Sequence, residues 1–186
     1  MNPTLNKSDF DDLTTNLKDL AYSYLEKYNP SKQQLKVYLL KKYLTKIKGN
    51  KSKKEVTSII DKIISNLESS KILNDELYSD SKARMFLRRG YSLNKIHQSL
   101  KSKGIEEKFV KQSLEKIKEN QIEPDFVSAL KLCKRRRIGP VRPDSNRELF
   151  YKKDMGILAR GGFSFDLSKR VLDLDSDEFK KLIRLI

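Results

Sequence analysis

Apolar residues recur at spacings of three and four along almost the whole chain, and alternation at every second position is scarce. Gly and Pro are confined to a few break points between these stretches. The pattern predicts helices throughout. The first runs from about Asp9 to Tyr28, with Leu13, Leu17, Leu20, Ala21, Tyr24, Leu25 and Tyr28 on one side, and Asn29-Pro30 ends it. Ser31-x-x-Gln34 is a capping-box signal for a second helix carrying Leu35, Val37 or Tyr38, Leu39 and Leu40. A Lys-rich loop, Lys46 to Lys54 around Gly49, leads to a second box, Ser52-x-x-Glu55. That box opens a third helix with Val56, Ile59, Ile60, Ile63, Ile64 and Leu67.

The pattern then starts again. Asn74-Asp75-Glu76 opens a helix with Leu77, Tyr78, Ala83, Phe86 and Leu87, and Arg89-Gly90-Tyr91 breaks it. Ser92 caps a helix with Leu93, Ile96 and Leu100; Lys103-Gly104-Ile105 turns into a third with Phe109, Val110, Leu114 and Ile117. Placing Ser31 over Ser92 puts Leu35 on Ile96 and Leu39 on Leu100. Likewise Ile59, Ile60, Ile64 and Leu67 fall on Phe109, Val110, Leu114 and Ile117.

A third copy begins at Pro124, a residue suited to the first turn of a helix. It carries Phe126, Val127, Ala129, Leu130 and Cys133 and ends in a basic run. Ser145-x-x-Glu148 is expected to cap the next helix, with Leu149, Phe150, Ile157 and Leu158, and Gly162-Phe163 aligns with Gly104-Ile105. Asp173 to Ile186 reads as a last short helix, with Phe179, Leu182, Ile183 and Ile186 packing back. The expected fold is all-α, an elongated, curved array of tandem three-helix repeats. Its expected parts are 1–70 with an N-terminal extension, 71–122, and 123–186 with a C-terminal helix.

Composition narrows the partners. A formal net charge of +15 and a pI near 9.7 point to a polyanion: nucleic acid, a nucleoprotein or an anionic membrane surface. Solubility in a Lys-rich proteome is the plainer alternative. Cys133 is the only cysteine, so no internal disulfide forms and a reducing compartment is expected. No apolar run reaches the roughly 18 residues of a membrane span. The reading is a cytoplasmic protein with no membrane partner.

The charges are sorted along each copy. No Asp or Glu lies between Glu26 and Glu55, between Asp80 and Glu106, or between Asp125 and Asp144. Those windows hold ten, seven and six Lys or Arg, and each covers the end of helix one and most or all of helix two. Stacked copies would align them into one basic stripe, a geometry suited to a long polyanion. Any single window is equally an ordinary solvated face.

The sharpest part of the third window is Lys134-Arg135-Arg136-Arg137, followed by Ile138-Gly139-Pro140-Val141-Arg142. Four cations at a helix end complement its dipole but repel one another, which water or a polyanion tolerates. The Gly-Pro marks the hinge to the next helix. Catalytic machinery is not visible. One His (His97, a partly exposed surface position) and one Cys leave no clustered metal site and imply no cofactor. Cys133 has helical spacing with Leu130 and Val127 and reads as a core thiol, although adjacent Lys134 would favour a reactive thiolate. Arg160-Gly161-Gly162-Phe163 lacks a phosphate-loop pattern. Asp173, Asp175, Asp177 and Glu178 lack the Gly and terminal Glu of a calcium loop and suit a helix N-terminus.

Three segments carry a resemblance. They are Ala21-Tyr22-Ser23-Tyr24-Leu25 with Ser31-x-x-x-Leu35; Asn74-Asp75-Glu76-Leu77-Tyr78 through Arg88-Arg89-Gly90-Tyr91-Ser92 and Leu100-Lys101-Ser102-Lys103-Gly104-Ile105; and Leu158-Ala159-Arg160-Gly161-Gly162-Phe163 with Val171-Leu172. In order and spacing, from about residue 18 to 173, the chain resembles the RecX family, regulators of the RecA recombinase. The Lys134 to Arg142 stretch looks like the basic Arg-Gly-Pro stretch of alphaproteobacterial members. The Lys-rich loop and Tyr78 depart from the family pattern.

The resemblance implies a non-enzymatic regulatory protein, a monomer, that binds RecA and RecA–DNA filaments and typically inhibits recombinase and coprotease activity in DNA repair. Single- and double-stranded DNA would be weaker partners. The candidate RecA- and DNA-binding residues are Lys134, Arg135, Arg136, Arg137 and Arg142, then Arg84, Arg88 and Arg89. The alternative reading is a general phosphate-contacting DNA- or RNA-binding helical protein, and a third is a helical-repeat scaffold whose basic windows are dispensable.

Overall fold

The structure is a computed structural model that describes residues 7–47 and 52–185. The centre of the Lys-rich loop, 48–51, and the terminal Ile186 lie outside the described residues. Among the described residues there are ten α-helices and no strand, so the all-α expectation holds. None is long and apolar enough to cross a membrane. The chain falls into two compact units: residues up to Tyr78 together with Lys103–Ile105, and Ser79–Ser102 together with the rest from Glu106 on.

In the first unit, α1 (Lys7–Lys27), α2 (Lys32–Lys42) and α3 (Lys53–Ser69) surround one core. Leu13, Leu17 and Ala21 of α1 meet Leu35 and Leu39 of α2 and the Ile59, Ile60, Ile63, Ile64, Leu67 stripe of α3. A five-residue π-helical turn, Tyr43–Ile47, follows α2 and buries Tyr43 in the same core. Both predicted capping boxes form. Ser31 Oγ accepts the Gln34 amide at 3.2 Å while Gln34 Oε1 accepts the Ser31 amide, and Ser52 and Glu55 reciprocate in the same way.

The second unit holds most of α4 (Asp75–Arg88), then α5 (Leu93–Lys101), α6 (Glu107–Asn120), α7 (Pro124–Arg136), α8 (Asp144–Arg160), α9 (Phe165–Leu172) and α10 (Ser176–Arg184). Its main core joins Leu130, Leu132, Cys133, Ile138, Leu158, Phe163, Val171 and Leu172, and Phe179 of α10 packs into it as expected. Three local expectations change. Ser145 does not cap α8, which starts at Asp144 behind Pro143 with no side-chain cap. Leu77 and Leu149 face solvent at 65% and 76% exposure, Tyr28 is exposed too, and of Val37 and Tyr38 it is Tyr38 that packs on the core while Val37 faces out. On α6, Val110 and Ile117 are buried, but so is Ser113, at the position that aligns with Ile63 of α3. Ser113 is tolerated there because its hydroxyl reaches Asp80 Oδ1 at 2.6 Å and lies 2.8 Å from Ser79 Oγ, and Lys116 Nζ binds the other Asp80 oxygen.

One joint occurs twice, once inside each unit. In the first, Ser31 Oγ donates to the Lys103 carbonyl, the Lys32 amide donates to Asp75, and a Cβ on Gly104 would collide with Gln33. In the second, the Ser92 amide donates to the Gly161 carbonyl, the Leu93 amide donates to Asp125, and a Cβ on Gly162 would collide with Ser92 Oγ. Gly104 and Gly162 both take positive φ, +77° and +88°, which a residue with a Cβ adopts at a cost. Thus the capped start of one helix seats in a glycine turn, and an Asp from a helix that begins later caps its first free amide.

Candidate polyanion-binding site

The cationic end of α7 is built by its C-cap. Arg137 adopts the left-handed conformation, φ 54°, and its amide returns to the Cys133 and Lys134 carbonyls. Ile138 N–H also reaches the Cys133 carbonyl, 3.1 Å away. This closes the helix in the manner usually given to Gly. Lys134, Arg135, Arg136 and Arg137 are all exposed, and no described carboxylate pairs with any of them. Cys133, one turn inside, is fully buried; burial first, and then the Asp154 charge, push its thiol up to about 12. It is a packed core residue, and Lys134 does not activate it.

Arg142 has a different place from the four. Its Nε and Nη2 donate to Asp154 Oδ2 and Oδ1 at 2.7 and 2.8 Å, and its guanidinium lies 4.4 Å from the Phe150 ring centre. Asp154 also accepts the Gly139 amide at 2.8 Å. The Gly139–Val141 segment is therefore a pinned 3-10 turn with Gly139 and Pro140 buried, rather than a loose hinge.

Of the second candidate group, Arg88 and Arg89 are exposed at the end of α4. Arg84 is exposed too, 4.0 Å from Asp80, and lines a separate groove that also holds Lys116, Lys131 and the Asp80 carboxylate. The α4 end closes on Gly90, φ +73°, where a Cβ would sit 2.7 Å from the Leu132 amide and the Ser128 carbonyl of α7. Only glycine lets the turn approach α7 so closely.

That approach makes a cleft of about 460 Å³ within the second unit. It is lined by Tyr91, Lys95, Leu132, Arg135, Arg136, Ile157, Arg160 and Gly161. Arg135 and Arg136 sit three and four residues beyond Leu132 on α7, Arg160 three beyond Ile157 on α8, and Lys95 four beyond Tyr91 at the start of α5. Arg135, Arg136 and Arg160 thus share a helix face with an apolar wall residue, while Tyr91 lies just ahead of the Ser92 cap of the helix that carries Lys95. No carboxylate lines the cleft. The second and third acid-free windows, which supply Lys95 and the Arg135-Arg136 pair, converge here. Tyr91, Lys95 and Arg160 were not among the sequence candidates. Their signals were weak: Lys95 lies in an acid-free window, and Arg160 precedes Gly161-Gly162.

The first window, in the other unit, is partly neutralised. Lys32 pairs with Glu68 and Lys36 with Asp61, both of α3, at 3.0 and 2.6 Å. Lys27 and Lys42 lie over the rings of Tyr28 and Tyr38. His97 is half-exposed, 2.9 Å from Glu107; that hydrogen bond, more than any other influence, holds the Glu107 carboxyl below its ordinary range. Among the described residues no group of three or more His, Cys, Asp or Glu is placed to hold a metal.

No family model matches the chain. The Regulatory protein RecX of Myxococcus xanthus strain DK1622 is 32% identical over 161 residues, spanning 86% of this chain and 85% of that protein. The Regulatory protein RecX of Agrobacterium fabrum strain C58 is 28% identical over 116 residues, 61% of this chain and 58% of that one. A crystal structure of regulatory protein RecX superposes with a TM-score of 0.57 at 22% identity, over 92% of this chain and 79% of that chain, a likeness of fold. With a relative at that identity along most of both lengths, the chain belongs to the RecX family of regulatory proteins.

Proposed function

We propose that this protein binds RecA and RecA–DNA filaments and restrains recombinase and coprotease activity during DNA repair, acting without catalysis in the cytoplasm as a monomer. Family membership supports the regulatory part. The observation that carries the binding surface is the exposed, carboxylate-free end of α7, Lys134 to Arg137. Cations carried on a folded helix end meet DNA phosphates or acidic protein surface with no backbone left to order, only their own side chains. Arg88 and Arg89 extend this surface as secondary contacts. Arg142, a sequence candidate, works from below by holding the Gly139–Val141 turn through Asp154. The recurrent joint supports the partition into three repeats at 1–70, 71–122 and 123–186.

The deciding experiment is RecA strand exchange and DNA-dependent ATPase with this protein added at less than one copy per RecA. Inhibition is expected, and charge reversal of Arg135 and Arg136 together should relieve it while flattening its dependence on salt. Unchanged inhibition by that variant would remove these residues from the contact. Equal binding to bare and RecA-coated DNA at matched salt would favour the general nucleic-acid binder, with weaker DNA contact as its whole activity.

A further inference from the structure

We propose that the cleft between the α4–α5 turn and the last turns of α7 and α8 binds one nucleotide of a single-stranded nucleic acid. Its phosphate is held by Lys95, Arg135, Arg136 and Arg160, and its base lies on Tyr91. The inference deepens the filament reading and rests on it only for where the strand comes from.

Charge is the first argument. Four cations line the cleft with no carboxylate among its walls, and none of the four is paired with a described carboxylate. The C-termini of α7 and α8 each contribute about half a negative charge, which four full positive charges outweigh. Three of the four groups have donors suited to a phosphate oxygen pair, since guanidinium forks match that geometry. The cleft therefore carries a net positive charge that an anion would offset.

Shape is the second. A volume of about 460 Å³ falls in the range of small-ligand sites, about 300–1,000 Å³. Its wall is apolar on one side: Leu132 is buried and Ile157 and Tyr91 are half-buried. Tyr91 is itself backed by Phe86, with centroids 5.5 Å apart and planes 19° from parallel, so its ring is held in place. A sulfate-like anion alone would leave that wall unused. A nucleotide uses both halves, because base stacking on an aromatic ring adds to phosphate contact in single-strand recognition. A base locked in a duplex stack has no free face for Tyr91, so the site selects unpaired strands. Lys134 and Arg137 are exposed at the same helix end and add to its positive charge.

The test uses the full-length protein and fluorescence anisotropy with labelled oligo(dT), a hairpin duplex, and free dTMP as competitor. The single strand should bind at least tenfold more tightly than the duplex, and dTMP should compete only at far higher concentration. Arg135→Gln with Arg160→Gln should weaken oligo(dT) binding about tenfold or more and reduce the salt slope by about 0.7, the share of one phosphate contact. Lys111→Gln with Lys152→Gln removes the same charge at exposed positions outside the cleft and should leave affinity within about twofold. Tyr91→Leu should weaken the single strand about fivefold or more, with Tyr91→Phe restoring it. Equal losses in the two double variants, or duplex affinity equal to single-strand affinity, would overturn the site. Effective competition by dTMP would overturn the strand as its ligand. If the Tyr91 variants do not fold, the Arg pair, both surface residues, still decides. Wild-type protein that prefers oligo(dT) but leaves RecA untouched would sink the filament reading alone.

Discussion

Arg142 and Asp154 form a two-point ion pair that ties the turn after α7 to the middle of α8. The Asp154 side chain is 1% exposed and that of Arg142 20%, and Asp154 holds the Gly139 amide as well. The last cation of the basic run thus completes a buried network, while its four predecessors remain in water. Arg142→Gln leaves the carboxylate buried without its charge partner and should cost about 3 kcal/mol of stability, read by urea denaturation. Charge loss at Arg135 should move the midpoint far less.

Acid should unfold the protein through the same group. Burial by itself raises the Asp154 pKa, but the Arg142 hydrogen bonds, the Gly139 amide and the Arg142 charge outweigh it, and the net shift is downward. Asp80 is lowered against the same burial penalty by Lys116 and Ser113. A carboxyl with a depressed folded pKa contributes stability that is present above its unfolded value, about 3.9 for Asp, and is lost as pH falls through the folded value. Stability should therefore fall across that acidic window and hold above it. Asp154→Asn should flatten the fall, measured as the urea midpoint against pH.

Arg137 sits in the left-handed conformation where glycine is at ease. Arg137→Gly should raise stability by about 1 kcal/mol and, with one cation fewer, weaken DNA and filament binding. Opposite signs in thermal denaturation and in binding are the expected signature. A drop in both would mean that the Arg137 side chain also packs.

The two equivalent glycine turns should respond alike. Gly104→Ala forces a Cβ onto Gln33 at φ +77°, and Gly162→Ala forces one onto Ser92 Oγ at φ +88°, with the Lys95 amide 3.1 Å away. Each should lose about 1–3 kcal/mol in chemical denaturation. Gly156→Ala, inside α8 with helical backbone and only the Arg160 guanidinium 3.5 Å away, is the contrasting case and should gain about 1 kcal/mol.

Cys133 should ignore thiol reagents in the native protein at pH 8, since its thiol is pushed up to about 12 and has no solvent exposure. In denaturant it should react at once with a disulfide reagent, followed by absorbance. Rapid native labelling would contradict the burial.

The helices were legible in the sequence because their signals are local. Ser31 and Ser52 with the acceptors three residues on, Ser92, Pro124 and the three-and-four spacing of Ile59 to Leu67 act within one or two turns, and each formed as read. The burial of Ile96 and Leu100 was legible for the same reason: they have the same spacing from Ser92 as Leu35 and Leu39 have from Ser31, and all four are fully buried. Where a position depends on a neighbour from elsewhere in the chain, the pattern misled. Leu77 and Leu149 are in phase with their helices yet face water, and Ser113 sits in the core because Ser79 and Asp80 meet it.

The cations show the same division. That the chain carries +15, gathers its bases into three acid-free windows and ends α7 in four of them is determined by the residues alone. Which of those bases face an anion is decided only in three dimensions. Arg142 is taken up by Asp154, twelve residues away, and Lys32 and Lys36 by acids of α3. Gly90 lets the start of α5 close on α7, which sets Lys95 and Tyr91 beside Arg135 and Arg136, with Arg160 arriving from α8. Helix propensity and capping are short-range and written in adjacent residues, whereas pairing or freeing a charge depends on which groups distant segments bring within a few ångströms.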